Sequence, residues 1–245
     1  MMEKRWLLCD FHIHTTISDG VLDLMSLIDF YGSRGFDVIS ITEHLHEESI
    51  LKSEVEEDKA TYSLGRDTFD RYLEDLRRAA RYAWREYEML LIPGVELSND
   101  TRYYHILVID VKRYIDPALP VEEIIFQARE QGALTIAAHP CRRQGGWNGT
   151  SLLWREHKRY GRIIDAWEAA NRREIYADVI SSGYKFIGCS DFHKPDHIYS
   201  WKTLLYAEKS VDSVKEAIRR GYTALHFYGE DIERRTLKSS PARVR

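Results

Sequence analysis

The stretch DFHIHTTISDG, residues 10–20, places His12 and His14 one residue apart at the end of an apolar run and follows them with a Ser-Asp-Gly turn. Residues i and i+2 of a strand share a face, so the two imidazoles project side by side from a strand end. Paired imidazoles suit a metal ion, although one such pair alone also fits half-exposed polar residues. The coincidence recurs. His44 follows VISITE, Glu96 follows LIPGV, His105 opens HILV, His139 follows LTIAA, and Asp191 and His193 follow KFIGCS. Each closes or opens a predicted strand. Only His157 clearly falls in a helix or loop, and His46, His197 and His226 have no clear place.

Imidazole and carboxylate donors point to zinc, iron or manganese rather than a thiolate site. The candidates outnumber what one ion can use and imply two to three divalent ions, with a carboxylate such as Glu96 free to bridge a pair. Ions held about 3.5 to 4 Å apart suit phosphoryl transfer to water.

The elements that must position these groups follow from periodicity. Short β-forming runs near residues 6–12, 37–42, 89–97, 105–111, 134–138, 163–168, 186–190, 203–207 and 223–227 alternate with helical patterns. Leu24, Leu27, Ile28 and Tyr31 have helical spacing, 67–88 is the longest helix candidate, and VEEIIFQAREQG and VDSVKEAIRRG repeat the pattern. Such alternation predicts an α/β protein with parallel strands, and over this length a (β/α) barrel, in which chemistry collects at the C-terminal strand ends.

With 245 residues, a net charge of -4 and 30% charged residues, the chain reads as one globular domain, residues 1–228, followed by a charged tail, 229–245. Nothing in that charge asks for nucleic acid, and no run resembles a signal or a membrane span. Cys9, Cys141 and Cys189 lack CxxC spacing, which predicts a reducing, cytoplasmic setting. Cys141 and Cys189 read as packing residues beside the ligands rather than nucleophiles.

Together DFHIHTTISDG, VISITEH, IPGVELS with YYHILV, IAAHP, DAWEAAN and GCSDFH resemble, in order, the motifs of the PHP (polymerase and histidinol phosphatase) family, in particular its small stand-alone metal-dependent phosphoesterases. The resemblance spans residues 10–193 and implies a distorted (β/α)7 barrel with a trinuclear site. By position it implies one ion held by His12, His14, Glu96 and Asp191, a second by Glu96, His105 and His139, and a third by Asp19, His44 and His193. It gives the Ser-Asp-Gly turn a purpose, since the turn would swing Asp19 back toward the histidines. Glu96, Asp191 and His193 are the expected catalytic residues. One departure is Glu43, where family members usually carry aspartate; a supporting role beside a ligand is expected there.

A phosphate also needs cationic donors, and an arginine fork can take two oxygens at once. Arg142 and Arg143 lie just past His139. Asn171 and Arg172, with Glu168, follow another strand end, and Lys194 and Lys202 follow His193; Arg66 is placed to reach over from the second connection. Tyr103, Tyr104, Trp147 and Trp201 are candidates to stack on a ring. The expected reaction is hydrolysis of a small phosphomonoester, a nucleotide or nucleoside bisphosphate or histidinol phosphate, with a short oligonucleotide as a third option. Two other readings use the same residues: an amidohydrolase-like C–N or ester hydrolase, and a non-catalytic metal-binding partner domain. No membrane partner is expected, and the sequence leaves the oligomeric state open.

Overall fold

A computed structural model describes residues 3–47, 63–142 and 150–230, so Arg143, Trp147 and the tail past residue 230 lie outside the described residues. The larger elements are β1 (Arg5–Asp10), α1 (Leu24–Gly32), β2 (Val38–His46), α2 (Phe69–Tyr87), β3 (Leu90–Asn99), β4 (Tyr104–Ile109), α3 (Val121–Glu130) and β5 (Leu134–Ala137). The short helices α4 (Ser151–Arg155) and α5 (His157–Tyr160) follow, then β6 (Ala166–Asn171), β7 (Glu174–Ile175), α6 (Ala177–Ser181) and β8 (Phe186–Cys189). A 3-10 turn (Pro195–Ile198), β9 (Trp201–Ala207), α7 (Val211–Arg220) and β10 (Thr223–Phe227) complete the described chain. Among the described residues no helix is long and apolar enough to cross a membrane.

The strands form one curled mixed sheet in the order β10-β9-β1-β2-β3-β4-β5-β6-β7, with β8 parallel to β6. The expected all-parallel alternation is corrected in two places. β4 is antiparallel to both β3 and β5, and β9 is antiparallel to β1 and β10. Residues 100–103 are too few for a parallel crossover, which takes a dozen or more, but suit a hairpin. The curl closes where the segments after β1 and β8 meet: Ile13 bridges Phe192 in parallel, with His14 N donating to Phe192 O at 2.8 Å and Phe192 N to His12 O at 3.0 Å. Toward the other end β9 stands beside β8, and Thr203 Oγ1 donates to Gly188 O at 2.8 Å.

Two apolar layers support the sheet. Leu27, Ile28 and Tyr31 of α1, with Phe69, Tyr72 and Leu76 of α2, bury against Ile39, Ile41, Leu91 and Val95 on its outer face. Helix α1 starts where Asp23 Oδ1 accepts from Met25 N and Ser26 N, both at 3.0 Å, a side-chain N-cap. On the inner face the apolar positions are Leu7, Val38, Ile92, Leu107 and Ile136, and Val214 and Ile218 of α7 join them. Lys215 Nζ donates to Asp110 Oδ2 at 2.5 Å and Arg219 Nη2 to Ala133 O at 3.0 Å, so α7 covers the end of the sheet opposite the histidines. The period-2 alternation that buries Val38 and Ile92 in this inner layer brings His44 and Glu96 to the other end, paired in register across β2 and β3.

Candidate metal centre

Glu96 is the hub. It is fully buried, and its two oxygens meet five imidazoles: Oε1 lies 2.8 Å from His105 Nδ1 and 3.2 Å from His139 Nε2, while Oε2 lies 3.1 Å from His12 Nε2, 3.3 Å from His14 Nε2 and 3.1 Å from His44 Nδ1. The antiparallel direction of β4 explains why His105 opens its strand while the other ligands follow theirs. A reversed strand starts at the end where its neighbours finish.

Asp191 faces the hub across the closure. Its Oδ1 lies 3.6 Å from His12 Nε2 and 3.8 Å from His14 Nε2, and its Oδ2 takes Arg142 Nη1 at 3.2 Å and Arg172 Nε at 3.1 Å. One oxygen therefore faces the histidines and the other the two guanidinium groups. Asp191, Arg172 and His139 are non-glycine residues at positive φ (49°, 50° and 27°), a strained conformation that here falls on three neighbours in one site.

The Ser-Asp-Gly turn closes this end. Gly20 N donates to Thr15 O at 2.9 Å, and a Cβ at Gly20 would lie 2.4 Å from the His14 carbonyl oxygen, so only glycine lets the turn fold this tightly beneath His14. Asp19 is thereby set 3.1 Å from His193 Nε2 and 3.6 Å from His44 Nε2. Glu43 points away from the donors and accepts from Thr15 N at 3.0 Å, from Thr15 Oγ1 at 2.5 Å and from Ser18 Oγ, which pins the same turn. Burial pushes its carboxyl up to about 7, against those hydrogen bonds.

A second tier orients the imidazoles. Glu168 takes His12 Nδ1 at 2.8 Å on Oε1, and its Oε2 accepts from His139 N at 2.6 Å and Asn171 Nδ2 at 2.8 Å. With its Nδ1 held by Glu168, His12 presents its Nε2 to Glu96 and Asp191. Asp100 Oδ1, 3.1 Å from His105 Nε2, does the same for His105, and Ser98 Oγ lies 2.9 Å from His44 Nδ1. Sequence reading missed Asp100 and Ser98, whose only signal was their place beside Glu96 at a strand end. Glu168→Gln is expected to lower metal affinity by about 10- to 100-fold, as loss of such a partner does elsewhere. A chelator-competition titration, with circular dichroism as the folding control, checks this; unchanged affinity would refute the orienting role.

The donors fit divalent ions. Side-chain atoms of four sets lie within 4.8 Å of one another: His14, Asp19, His44 and His193; His12, His14 and Glu96; His12, His139 and Asp191; His44, Glu96 and His105. His14 Nε2 is buried without a hydrogen bond, an orphan that a cation would satisfy. Burial and the His193 charge lower His14 to about 4, and burial also lowers His44 and His139, so all three keep a free lone pair at neutral pH. Burial opposes ionisation of Glu96 and Asp191, but the surrounding imidazoles, and Arg172 for Asp191, hold both well below the usual carboxylate range. Neutral imidazoles and ionised carboxylates are the forms that bind metal; at His12, His105 and His193 the facing carboxylates outweigh burial and raise the imidazoles, so an ion would displace their protons.

No protein-family model and no curated protein matches this chain. Solved structures do. A two-domain protein from Bacteroides vulgatus, containing a predicted PHP-like metal-dependent phosphoesterase, superposes with a TM-score of 0.63 at 23% identity over 96% of this chain and 70% of that one. The chain shares a PHP-like fold. PsfC from Pseudomonas syringae matches with a TM-score of 0.60 at 17% identity over 97% of both chains. An amidohydrolase from Chromobacterium violaceum, solved with bound sulfate and no metal, matches at 0.51 and 13% identity over 94% of this chain and 96% of that one.

The structure brings the candidate donors to one end of the sheet, in groups that cut across the three expected sets. His14 stands between two sets, its ring centroid 4.3 Å from His44 and 4.2 Å from His193. Arg142 and Arg172 meet at Asp191, whereas Lys194 is exposed at the head of the 3-10 turn. Asn171, expected at substrate, is buried because its amide serves Glu168. Lys202 is also corrected: it is fully buried behind the ligands, 3.5 Å from Asp10 Oδ2, since β9 carries it into the interior. Tyr104 is core, donating to Leu119 O at 2.6 Å; Trp201 packs edge-on against Phe227, and Tyr103 is exposed. Cys189 is buried and its thiol is raised by that burial, as suits a packing residue.

Proposed function

We propose that this chain is a metal-dependent phosphoesterase that hydrolyses a small phosphomonoester, using three divalent ions drawn from manganese, iron and zinc. His12, His14, Glu96 and Asp191 would hold one, Glu96, His105 and His139 the second, and Asp19, His44 and His193 the third. The ring β1-β2-β3-β4-β5-β6-β8 is the distorted seven-strand barrel that carries them. We also place the protein in the cytoplasm, where Cys9, Cys141 and Cys189, none of them in a disulfide, stay reduced.

The observation that carries this reading is the convergence of Arg142 and Arg172 on Asp191 Oδ2, at 3.2 and 3.1 Å, beside the histidine cluster. Two guanidinium groups at the rim of a metal centre suit a tetrahedral oxyanion, and the Chromobacterium neighbour holds sulfate. Bound ions supply Lewis acidity and an activated water. The chain's own residues do the rest. Arg142 and Arg172 bind the phosphoryl oxygens and stabilise the charge that develops on them, Glu168 holds His12 in one tautomer, and Glu43 keeps the Asp19 turn closed.

Inorganic phosphate released by the manganese-loaded protein from nucleotides, nucleoside bisphosphates, histidinol phosphate and short oligonucleotides, beside a His14→Ala control, tests the reading. Phosphate release lost in the control supports it. A fully loaded protein that releases none, yet cleaves amide or ester substrates, would favour the amidohydrolase reading. Arg142→Ala and Arg172→Ala should each lower kcat by about 100-fold, the scale for losing one transition-state donor, with metal content unchanged. A loss of metal in either variant would instead make that arginine a support for Asp191.

A further inference from the structure

Resting on the phosphoesterase reading, we propose that a cleft beside β2 seats the leaving group, and that it selects an uncharged, ring-bearing and hydroxylated one, such as a nucleoside. The cleft has a volume of about 600 Å³ and is walled by His46, Arg66, Asp67, Tyr114 and Asp116 over Leu64. It adjoins the donors through His46. His46 lies two residues beyond His44 on the same strand face, and their rings stack at 5.0 Å with planes 27° apart.

The walls are held in place. Ser63 Oγ accepts from His46 N at 3.0 Å and donates to His44 O at 3.1 Å, and Leu64 N donates to the same carbonyl at 2.8 Å. This ties the Arg66 segment to the ligand strand. Thr68 Oγ1 accepts from Gly65 N at 2.9 Å, which fixes the turn that carries Arg66. Across the cleft the Tyr114 ring stands edge-on to buried Phe69, at 5.7 Å and 90°, and the Arg66 guanidinium lies 4.2 Å above the Tyr114 centroid. A phenol ring under a guanidinium plane is a stacking platform for a flat ring.

Charge decides what such a ring carries. Among the described residues Asp67 and Asp116 give the cleft two carboxylates against one guanidinium, with Arg66 Nη2 3.9 Å from Asp116 Oδ2. A second phosphate is repelled there, whereas hydroxyl and amino groups donate to carboxylates. The cationic rim at Arg142 and Arg172 takes the phosphoryl end, and this cleft takes the neutral end.

The test compares KM and kcat for a nucleoside 5′-monophosphate, a nucleoside 3′,5′-bisphosphate and glycerol phosphate in the parent, Arg66→Ala and Tyr114→Leu. Arg66 is largely exposed, so its variant keeps the fold should Tyr114→Leu fail. Each substitution should raise KM for the monophosphate about tenfold, with kcat and the glycerol phosphate constants little changed. The parent should prefer monophosphate to bisphosphate. An equal effect on both leaving groups, no effect on either, or a bisphosphate preference would overturn the proposal. Calorimetric binding of adenosine alone separates the two readings. Adenosine binding weakened by both substitutions, in a protein that hydrolyses no phosphoester, keeps the cleft and rejects the phosphoesterase. Hydrolysis with adenosine binding indifferent to both substitutions does the reverse.

Discussion

Glu96→Gln is expected to lower phosphate release by about 1000-fold or more and to strip the centre of most of its metal. Both carboxylate oxygens are engaged, Oε1 by His105 and His139 and Oε2 by His12, His14 and His44, so neither can be given up. An amide places an N–H donor where one of those oxygens faced imidazole nitrogens, and it removes the negative charge that two ions would share. Metal ions contribute several kcal/mol of transition-state stabilisation, and about 1.4 kcal/mol is a factor of ten, which sets the magnitude. Elemental analysis of the purified variant, together with phosphate release, checks both halves. A variant that keeps its metal and more than a tenth of its activity would remove Glu96 from the hub.

The second large effect concerns stability. Asp10→Ala should destabilise the fold by about 3–5 kcal/mol, the cost of leaving a buried charge without its partner. Asp10 and Lys202 are both fully buried, 3.5 Å apart, and burial lowers the Lys202 ammonium from its ordinary value. Asp10 also accepts from Tyr31 Oη at 3.0 Å and Ser190 N at 3.1 Å, so the change takes a partner from each of these donors as well as the counter-charge from Lys202, whose Nζ keeps Ile198 O at 3.0 Å and Ser200 Oγ at 2.7 Å. For a chain of this size the melting point should fall by roughly 10 °C. Pairing Asp10→Ala with Lys202→Met should recover much of the loss, because a buried ion pair can be replaced by apolar groups far more cheaply than it can be broken. Thermal denaturation of the single and double variants measures this. A single variant within about 1 kcal/mol of the parent would show that Lys202 does not depend on Asp10.

The donors were legible because each sits at a strand end with an apolar run beside it, a local pattern that one chain displays openly. Strands and long helices were legible for the same reason. Direction was not: HILV reads alike in a parallel or an antiparallel strand, although the place of His105 at the start of its run, where the other ligands follow theirs, carried the clue. Asn171 and Lys202 were misplaced because their surroundings come from remote segments. Glu168 turns Asn171 inward, and Asp10, from the other side of the closure, faces Lys202. The short strand β7 and the helices α4 and α6 are two to five residues long, too brief for a period to emerge.

The bridge between Ile13 and Phe192 has a further consequence, for the order in which the molecule acquires its chemistry. His12, His14, Asp19 and His44 are synthesised first, yet the partners that complete their sets arrive later, Glu96 and then Asp191 and His193. A chain still emerging from the ribosome holds the early donors with their sets incomplete. Bringing residues 13 and 192 together spans most of the described chain, so this contact carries a large loop-closure cost. A chain truncated before Asp191 would therefore keep the His12, His14, Glu96 and the His44, Glu96, His105 sets but lack the two that need Asp191 or His193, and with them the contact that closes the curl.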